Sequence, residues 1–407
     1  MNQTTLVSMK PRICLIAPGL LPVPATQGGA IETLITNLIQ ENERHGELAL
    51  TVVTSYDSKA LTLAHSIHNT KFIWISKVSS LQHILFKLSR ALIRRIRRDY
   101  TVLPSIYYRQ VLTVLGKRMN DFDAVIVEGG PSNAPHSFIQ LCNDHLWYHL
   151  HFTPGNTPIG HGYSTVLSVS DFAANAWRNH CQDSTVNIFT VHNGIDIKRF
   201  DREWNNEERE TLRRSIGLNL NDFVVLYCGR IIREKGVLEL LHAIELVNDD
   251  RVKLMIVGSS NFGPSEQTPY TDEVQQTVNR LGNRVVYTGY VPNDQLYRYY
   301  KSADIQAFPS IWEEAAGLVG VEGMASGLPL IVTHSGGIQE YVSSECSIVV
   351  ERGENLISSL AQAIITLRDN PERRKRMSKA GMEHARLFDT FAMYHQFVDA
   401  CKKVCNA

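Results

Sequence analysis

The chain has 407 residues, 43% hydrophobic and 20% charged, with 41 basic against 41 acidic side chains. That length exceeds one ordinary core and points to two domains of a globular protein. Zero net charge excludes a polyanion-coating surface, so nucleic acid is not an expected partner. Seven cysteines are scattered without a Cys-x-x-Cys pair, which argues against a zinc ribbon or a dithiol redox motif. No apolar run approaches the roughly 18 residues of a membrane span. The start shows no signal-peptide pattern, so a cytoplasmic location is expected.

The elements alternate in chain order. Residues 13–17 form a short apolar run that predicts a buried strand. A loop rich in Pro and Gly follows, and Pro22 and Pro24 stiffen its entrance. Gly28 and Gly29 then precede a helix predicted over 30–43, with Ile31, Leu34, Ile35, Leu38 and Ile39 on one side. Paired glycines allow close backbone approach, so this loop can close over a phosphate or an acceptor; the alternative is a plain flexible loop. Further strands are predicted at 48–54, 124–127, 146–152 and 166–169. His151 stands at the carboxyl end of the strand over 146–152, where it can hydrogen-bond a ligand hydroxyl or the reacting region. His149 lies two residues away on the same strand face, and either could be the one that does so.

A charged, polar stretch at 201–214 reads as a domain boundary. The pattern then restarts, with strands predicted at 223–228, 252–257, 285–288, 305–308 and 330–333 and a helix over 237–247. Continuous apolar strands separated by helices imply parallel sheets covered on both faces. Ligands of such sheets bind beyond the carboxyl ends of the strands. The final residues, 391–404, have the pattern of an amphipathic helix.

Two features carry chemistry. Arg230 and Lys235 sit in the turn after the strand 223–228, between Gly229 and Gly236 and before a helix. Cations there suit a diphosphate leaving group, because negative charge builds on the β-phosphate as its bond to the anomeric carbon breaks. Solvated loop charges are the alternative. The second feature is F-P-S-I-W-E-E-A-A-G-L-V-G-V-E-G over 308–323. It sets Glu314 before a helix and Glu322 inside it, with Gly317 at the opening. A helix amino end offers bare N–H groups to an anion, and the carboxylates suit ribose and sugar hydroxyls. As ordinary helical residues the two glutamates would lie about 80° apart and share no tight face. No G-x-x-x-x-G-K-[ST] occurs, nor a G-x-G-x-x-G after the first strand.

The stretch 308–329 resembles the E-x7-E region of retaining GT-B glycosyltransferases, above all glycosyltransferase family 4. Four segments agree in the family's order: Gly28-Gly29, H-N-G-I-D-I-K-R-F at 192–200, C-G-R-I-I-R-E-K-G at 228–236 and G-Y-V-P at 289–292. The resemblance covers most of the chain and is thin between about 57 and 145. It implies an α/β protein of GT-B architecture, two doubly wound Rossmann-like domains facing a central cleft. Residues 1–203 would bind acceptor, 204–388 would bind the nucleotide sugar, and 389–407 would form a helix crossing back to the first domain.

The same resemblance assigns roles. Glu322 would accept from ribose hydroxyls and Glu314 would bond hydroxyls of the donor sugar. The N–H groups of Gly317, Leu318 and Val319 would hold the diphosphate, and Tyr290 and Val291 would border the base. Ala315-Ala316 stand where such families often carry Pro-Phe, which leaves donor identity open. Transfer would be retaining, by front-face attack, with no cofactor and no divalent metal. The Asp and His sets show no metal-ligand spacing. The expected partners are a nucleotide diphosphate sugar, with UDP favoured, and a glycan, glycolipid or glycoprotein acceptor. A sugar-nucleotide 2-epimerase and a non-catalytic glycan- or partner-binding protein are the competing readings.

Residues 81–98 alternate apolar and basic faces, with Lys87, Arg90, Arg94, Arg97 and Arg98 on one side. They suggest peripheral contact with anionic lipid at the inner face of the cell membrane, against a core-packed helix with a solvated basic face.

Overall fold

A computed structural model describes residues 10–76, 105–155, 158–181, 183–259 and 268–405. The basic segment 81–98 lies outside the described residues. The chain divides into two compact units, Met1–His192 with Thr390–Ala407, and Asn193–Asp389.

The first unit is built on a seven-stranded sheet in the order β3-β2-β1-β4-β5-β6-β7. The strands are β1 (Arg12–Ile16), β2 (Ala49–Ser55), β3 (Thr70–Ile75), β4 (Ala124–Glu128), β5 (Leu146–Leu150), β6 (Thr165–Ser168) and β7 (Asn187–Thr190). Every pairing is parallel. Ile13, Cys14, Leu15 and Ile16 are fully buried, as befits a central strand with helices on both faces.

Helix Thr390–Cys405 packs on helix Ala30–His45 of this unit. The Tyr394 hydroxyl donates to Asn42 Oδ1 at 2.8 Å and accepts from the Glu47 N–H at 3.2 Å. Thr390 Oγ1 donates to Glu41 Oε1 at 2.6 Å, and Lys402 Nζ meets Glu47 Oε2 at 2.6 Å.

The second unit carries a six-stranded sheet in the order β10-β9-β8-β11-β12-β13. Its strands are β8 (Phe223–Cys228), β9 (Val252–Val257), β10 (Val285–Gly289), β11 (Ile305–Phe308), β12 (Leu330–Thr333) and β13 (Ser347–Val350). These pairings too are all parallel. Val224, Val225 and Leu226 of β8 have no exposed surface, and apolar clusters fill both faces of the sheet.

The first unit ends at His192, earlier than the charged stretch 201–214 suggested. Ile195 and Phe200 are anchored in the second unit's core, and the Ile195 N–H donates to Phe388 O at 2.9 Å. The stretch itself is no linker. Asn205 and Glu208 form a capping box, and helix Asn206–Ser215 follows. Arg213 of that helix is 1% exposed. Its guanidinium donates to Ser302 O at 2.8 Å, Leu220 O at 3.1 Å, Asp222 O at 2.9 Å and Asp304 Oδ2 at 2.8 Å. A stretch that reads as solvated by composition is thus fixed by one buried cation.

Arg213→Ala leaves three carbonyls without this donor, while Asp304 keeps Arg209 at 2.8 Å and the Val224 N–H at 2.7 Å, so it should cost about 2–4 kcal/mol of the second unit's stability. Arg213→Lys should recover little of this, because an ammonium cannot reproduce the planar fork. Urea unfolding followed by fluorescence checks both; a midpoint within error of wild type for Arg213→Ala would refute the assignment.

Candidate functional site

The candidate site of the second unit lies at the carboxyl ends of β8, β9, β10 and β11. After β8 the chain turns through Gly229 and Arg230, makes a single 3₁₀ turn over Arg233–Lys235, and enters helix Val237–Val247 at Gly236. Gly236 has φ 70°, and a Cβ there would lie 1.9 Å from the Pro309 carbonyl oxygen. Only glycine fits both conditions. The contact seats the β8 turn on the segment leaving β11. Ile311 N–H donates to Glu234 O at 2.9 Å, and Ser310 Oγ lies 3.0 Å from the same oxygen.

Lys235 and Glu314, 79 positions apart, meet here. Lys235 Nζ lies 2.6 Å from Glu314 Oε1, with the side chains 19% and 12% exposed. Ser310 Oγ donates to the same carboxylate oxygen at 2.6 Å. The ammonium also stands 5.5 Å from the centre of the Phe308 ring. Main-chain bonds fix Glu314, its carbonyl accepting the Gly337 N–H at 2.7 Å. Arg230 is exposed and has no acidic partner among the described residues. Its carbonyl accepts from the Tyr227 hydroxyl at 2.7 Å. Arg233 is solvent-exposed, 3.8 Å from Glu273 and over the Tyr270 ring.

Three residues past Glu314, Gly317 opens helix Leu318–Ala325 without a side-chain cap. The first N–H groups of such a helix lack intrahelical acceptors. Gln306 of β11 donates to Val319 O at 3.1 Å, and a Cβ on Gly323 would meet Gln306 Oε1 at 1.7 Å. The small residues therefore let this helix sit tight on the sheet. Glu322, half-buried on its second turn, accepts from the Tyr300 hydroxyl at 2.7 Å. Burial pushes its carboxyl above the ordinary value, while the Tyr300 hydrogen bond and the Arg199 charge act downward. The G-Y-V-P segment joins through the main chain. Gly258 N–H donates to Gly289 O at 2.9 Å, and Ile231 N–H to Ser259 O at 3.0 Å. Tyr290 is 49% exposed, whereas Val291 is packed into the core at 7% and could offer a ligand only its backbone.

In the first unit Gly28 and Gly29 have φ 83° and 92°, and Gly29 is the N-cap of helix Ala30–His45. Nothing lies near a Cβ at Gly28, while one at Gly29 would sit 2.2 Å from Glu32 Oε2. His151 does not present itself as the sequence suggested. Register pairs Glu128 with His149 across β4 and β5, and the period of two brings His151 to the same side. Glu128 has no exposed surface, and its Oε2 lies 2.9 Å from both His149 Nδ1 and His151 Nε2. Only His151 makes a well-formed hydrogen bond there. Its side chain is 6% exposed, held inward by the carboxylate.

These three residues bring metal-competent atoms within 4.8 Å of one another, a grouping the sequence spacing did not reveal. A metal-bound imidazole ordinarily gives its second nitrogen to a supporting acceptor. His149 Nε2 and His151 Nδ1 have no partner among the described residues, so the set fits a carboxylate–imidazole network better than a metal centre. Burial, the largest influence, raises Glu128, and the adjacent imidazoles outweigh it and leave the carboxyl below its usual range. Burial and neighbouring His149 push His151 down to about 4, against the pull of Glu128.

Residues 208–384 match the family described as Glycosyl transferases group 1. That match falls within the second unit, Asn193–Asp389. The chain is 34% identical over 161 residues to the uncharacterized glycosyltransferase MJ1607 of Methanocaldococcus jannaschii, an alignment spanning 39% of each protein. It is 25% identical over 399 residues to the putative glycosyltransferase YtcC of Bacillus subtilis (strain 168), covering 93% of this chain and 89% of that one. The crystal structure of Anabaena Alr3699/HepE in complex with UDP superposes with a TM-score of 0.70 at 20% identity, over 97% of this chain and 100% of that one. The UDP-glucose complex of the same protein gives 0.71 at 19% identity, over 96% and 99%. This likeness establishes the fold, two parallel-sheet Rossmann-like domains of the GT-B kind.

The sequence left three neighbours of the candidate residues unread. Ser310 sits inside the F-P-S at 308–310 and carries no signal of its own. Tyr300 is one of two adjacent tyrosines, and periodicity does not tell which is buried. Glu128 did leave a trace, a charge closing the otherwise apolar strand A-V-I-V-E.

His151 stays neutral in the folded protein until about pH 4, whereas an unfolded histidine takes up its proton near 6.5. The first unit should therefore lose stability as pH falls from 6.5 to 4, by up to about 1.4 kcal/mol per pH unit. Glu128, held low, adds its loss only below the ordinary carboxyl value. Urea midpoints stepped across this range should fall for wild type and flatten for His151→Gln; parallel curves would contradict the network.

Proposed function

We propose that the protein is a retaining glycosyltransferase. It moves a hexosyl group from a nucleotide diphosphate sugar, with a UDP-sugar as the favoured donor, to a hydroxyl of a glycan, glycolipid or glycoprotein. The observation that carries this reading is the Lys235–Glu314 contact in the segment leading into the uncapped helix Leu318–Ala325. Cation, carboxylate and helix amino end are the three groups a sugar diphosphate needs. The UDP and UDP-glucose held by the HepE structures support the choice of donor.

In this reading the N–H groups of Gly317, Leu318 and Val319 take the diphosphate, and Arg230 and Lys235 stand over its departing β-phosphate. Lys235 uses one ammonium proton on Glu314 and keeps two others for phosphate oxygens. Glu314 fixes sugar hydroxyls, Glu322 the ribose hydroxyls, and Tyr290 with the Val291 backbone the base. Gly28 and Gly29 give the first unit a loop able to approach a phosphate or acceptor. The bond from the anomeric carbon to the β-phosphate oxygen breaks, and the acceptor oxygen bonds that carbon on the same face. The acceptor proton passes to the departing phosphate oxygen. Fixed cations supply the positive charge, so the scheme uses no divalent metal.

Product anomers read by NMR, after incubation with candidate UDP-sugars and acceptors, test this directly; inverted products would remove the retaining mechanism. Epimerised sugar formed without any acceptor would favour the epimerase. Lys235→Ala and Arg230→Ala should each lower kcat about a hundred- to a thousand-fold. Glu322→Ala should act mainly on the donor, raising its KM about ten-fold. Full turnover by Lys235→Ala would overturn the assignment.

A further inference from the structure

Tyr300 is buried with no exposed surface, yet its hydroxyl is aimed at one oxygen of a half-buried carboxylate, Glu322 Oε2, at 2.7 Å. The ring is held from a second direction. Phe200 meets it edge-on, with centroids 5.6 Å apart and planes at 86°. Phe200 closes the H-N-G-I-D-I-K-R-F segment, for which the proposed chemistry has no other use. It is itself 3% exposed in the core of the second unit. Helix Leu296–Ser302 through Tyr300 and helix Ile197–Phe200 through Phe200 and Arg199 thus converge on the Tyr300–Glu322 pair, and the end of β8 brings Cys228 beside it.

Each neighbour has a definite effect on Glu322. Tyr300 donates to Oε2, which fixes the carboxylate's rotation and leaves Oε1 outside that bond. Arg199 contributes positive charge and favours the ionised form. Cys228, a buried thiol whose pKa is pushed up chiefly by burial, stays neutral and contributes no charge. A free glutamate at this depth would rotate between rotamers and lean toward the protonated form. Ribose hydroxyls need an ionised acceptor in one orientation.

We propose that Tyr300, braced by Phe200, is the positioning residue that holds Glu322 ready to accept hydrogen bonds from the ribose of a nucleoside diphosphate. This deepens the donor reading and rests on the assignment of Glu322 to the ribose. The H-N-G-I-D-I-K-R-F segment then presents an aromatic wedge and a cation behind the ribose acceptor. Selection of ribose over deoxyribose would then reside in a side chain that touches no ligand.

The test is a binding cycle with UDP, GDP and their 2′-deoxy counterparts, measured by calorimetry on wild type, Tyr300→Phe, Phe200→Leu and Glu322→Ala. Wild type should prefer the ribose form of whichever nucleotide it binds by about ten-fold. Tyr300→Phe keeps the ring and loses only the hydroxyl; it should bind the ribose form about ten-fold more weakly and the deoxy form almost unchanged. Its affinity should also begin to fail at a higher pH as the buffer is acidified, because Glu322 loses the hydrogen bond that favours its charge. Phe200→Leu should shift both readouts in the same direction by less. Thermal melts check that each variant is folded, and a merely structural role would weaken both nucleotide forms alike with no change in pH profile. If Glu322→Ala lowers affinity while Tyr300→Phe keeps wild-type preference and pH profile, this proposal is wrong and the donor reading survives. If Glu322→Ala has no effect, or wild type binds neither nucleotide, the donor reading fails and takes the proposal with it.

Discussion

The contact between Lys235 and Glu314 organises the second unit's working edge. β8 and β11 are neighbours in the sheet, so the turn after one and the segment after the other emerge side by side. Nothing in the strands obliges these two loops to stay together. A shared carboxylate oxygen does so, taking the lysine proton and the Ser310 proton at 2.6 Å each. Both side chains are largely removed from water, so neither can be left alone without a cost of several kcal/mol. The Gly236–Pro309 contact sets the same two loops from the backbone side. An ammonium placed in this way is pre-oriented, and pre-orientation is what lets a fixed charge act on a developing one without reorganising.

The first unit shows the same economy with opposite polarity. Its buried charge is negative and its partners are imidazoles. Glu128, His149 and His151 come together because two parallel strands run in register and a strand repeats every second residue. The carboxylate resolves an ambiguity that sequence leaves standing. His151 takes the formed hydrogen bond, while His149 lies close without one and is packed 6.3 Å from Phe397 of the terminal helix. Both rings are nearly sealed from solvent, so the pair organises the carboxyl edge of β4 and β5 from within.

Much of this was legible in the residues, and what was not has a common cause. The predicted strands were central ones, whose continuous runs reflect burial on two faces, together with the partly exposed edge strand β10. The strands that went unread, β3, β7 and β13, are all at sheet edges. T-K-F-I-W-I, N-I-F-T and S-I-V-V are short or interrupted by polar side chains, because an edge is half exposed and its pattern is diluted. The helix carrying Arg213 was hidden for a related reason: composition reports how charged a stretch is, not whether one of its charges is buried with four acceptors. Glycines, cations and the two spaced glutamates could be read because each has a local physical meaning. Ser310, Tyr300 and Glu128 could not be assigned before the fold was known, since their partners lie 4, 22 and 21 to 23 positions away with no periodic relation.

A last consequence concerns where such a domain is free to vary. Gly258 has φ 143°, and a Cβ there would lie 1.9 Å from the carbonyl oxygen of Gly229, in the loop of the adjacent strand. Gly236 is blocked in the same manner by Pro309. At these two points the edge is therefore backbone against backbone, with no room for a side chain. Under the proposed function, a change of donor sugar or base would fall on what stands above that edge, at positions such as Ala315, Ala316 and Tyr290. The innovation is confined to the walls because the foundation is already at van der Waals closure.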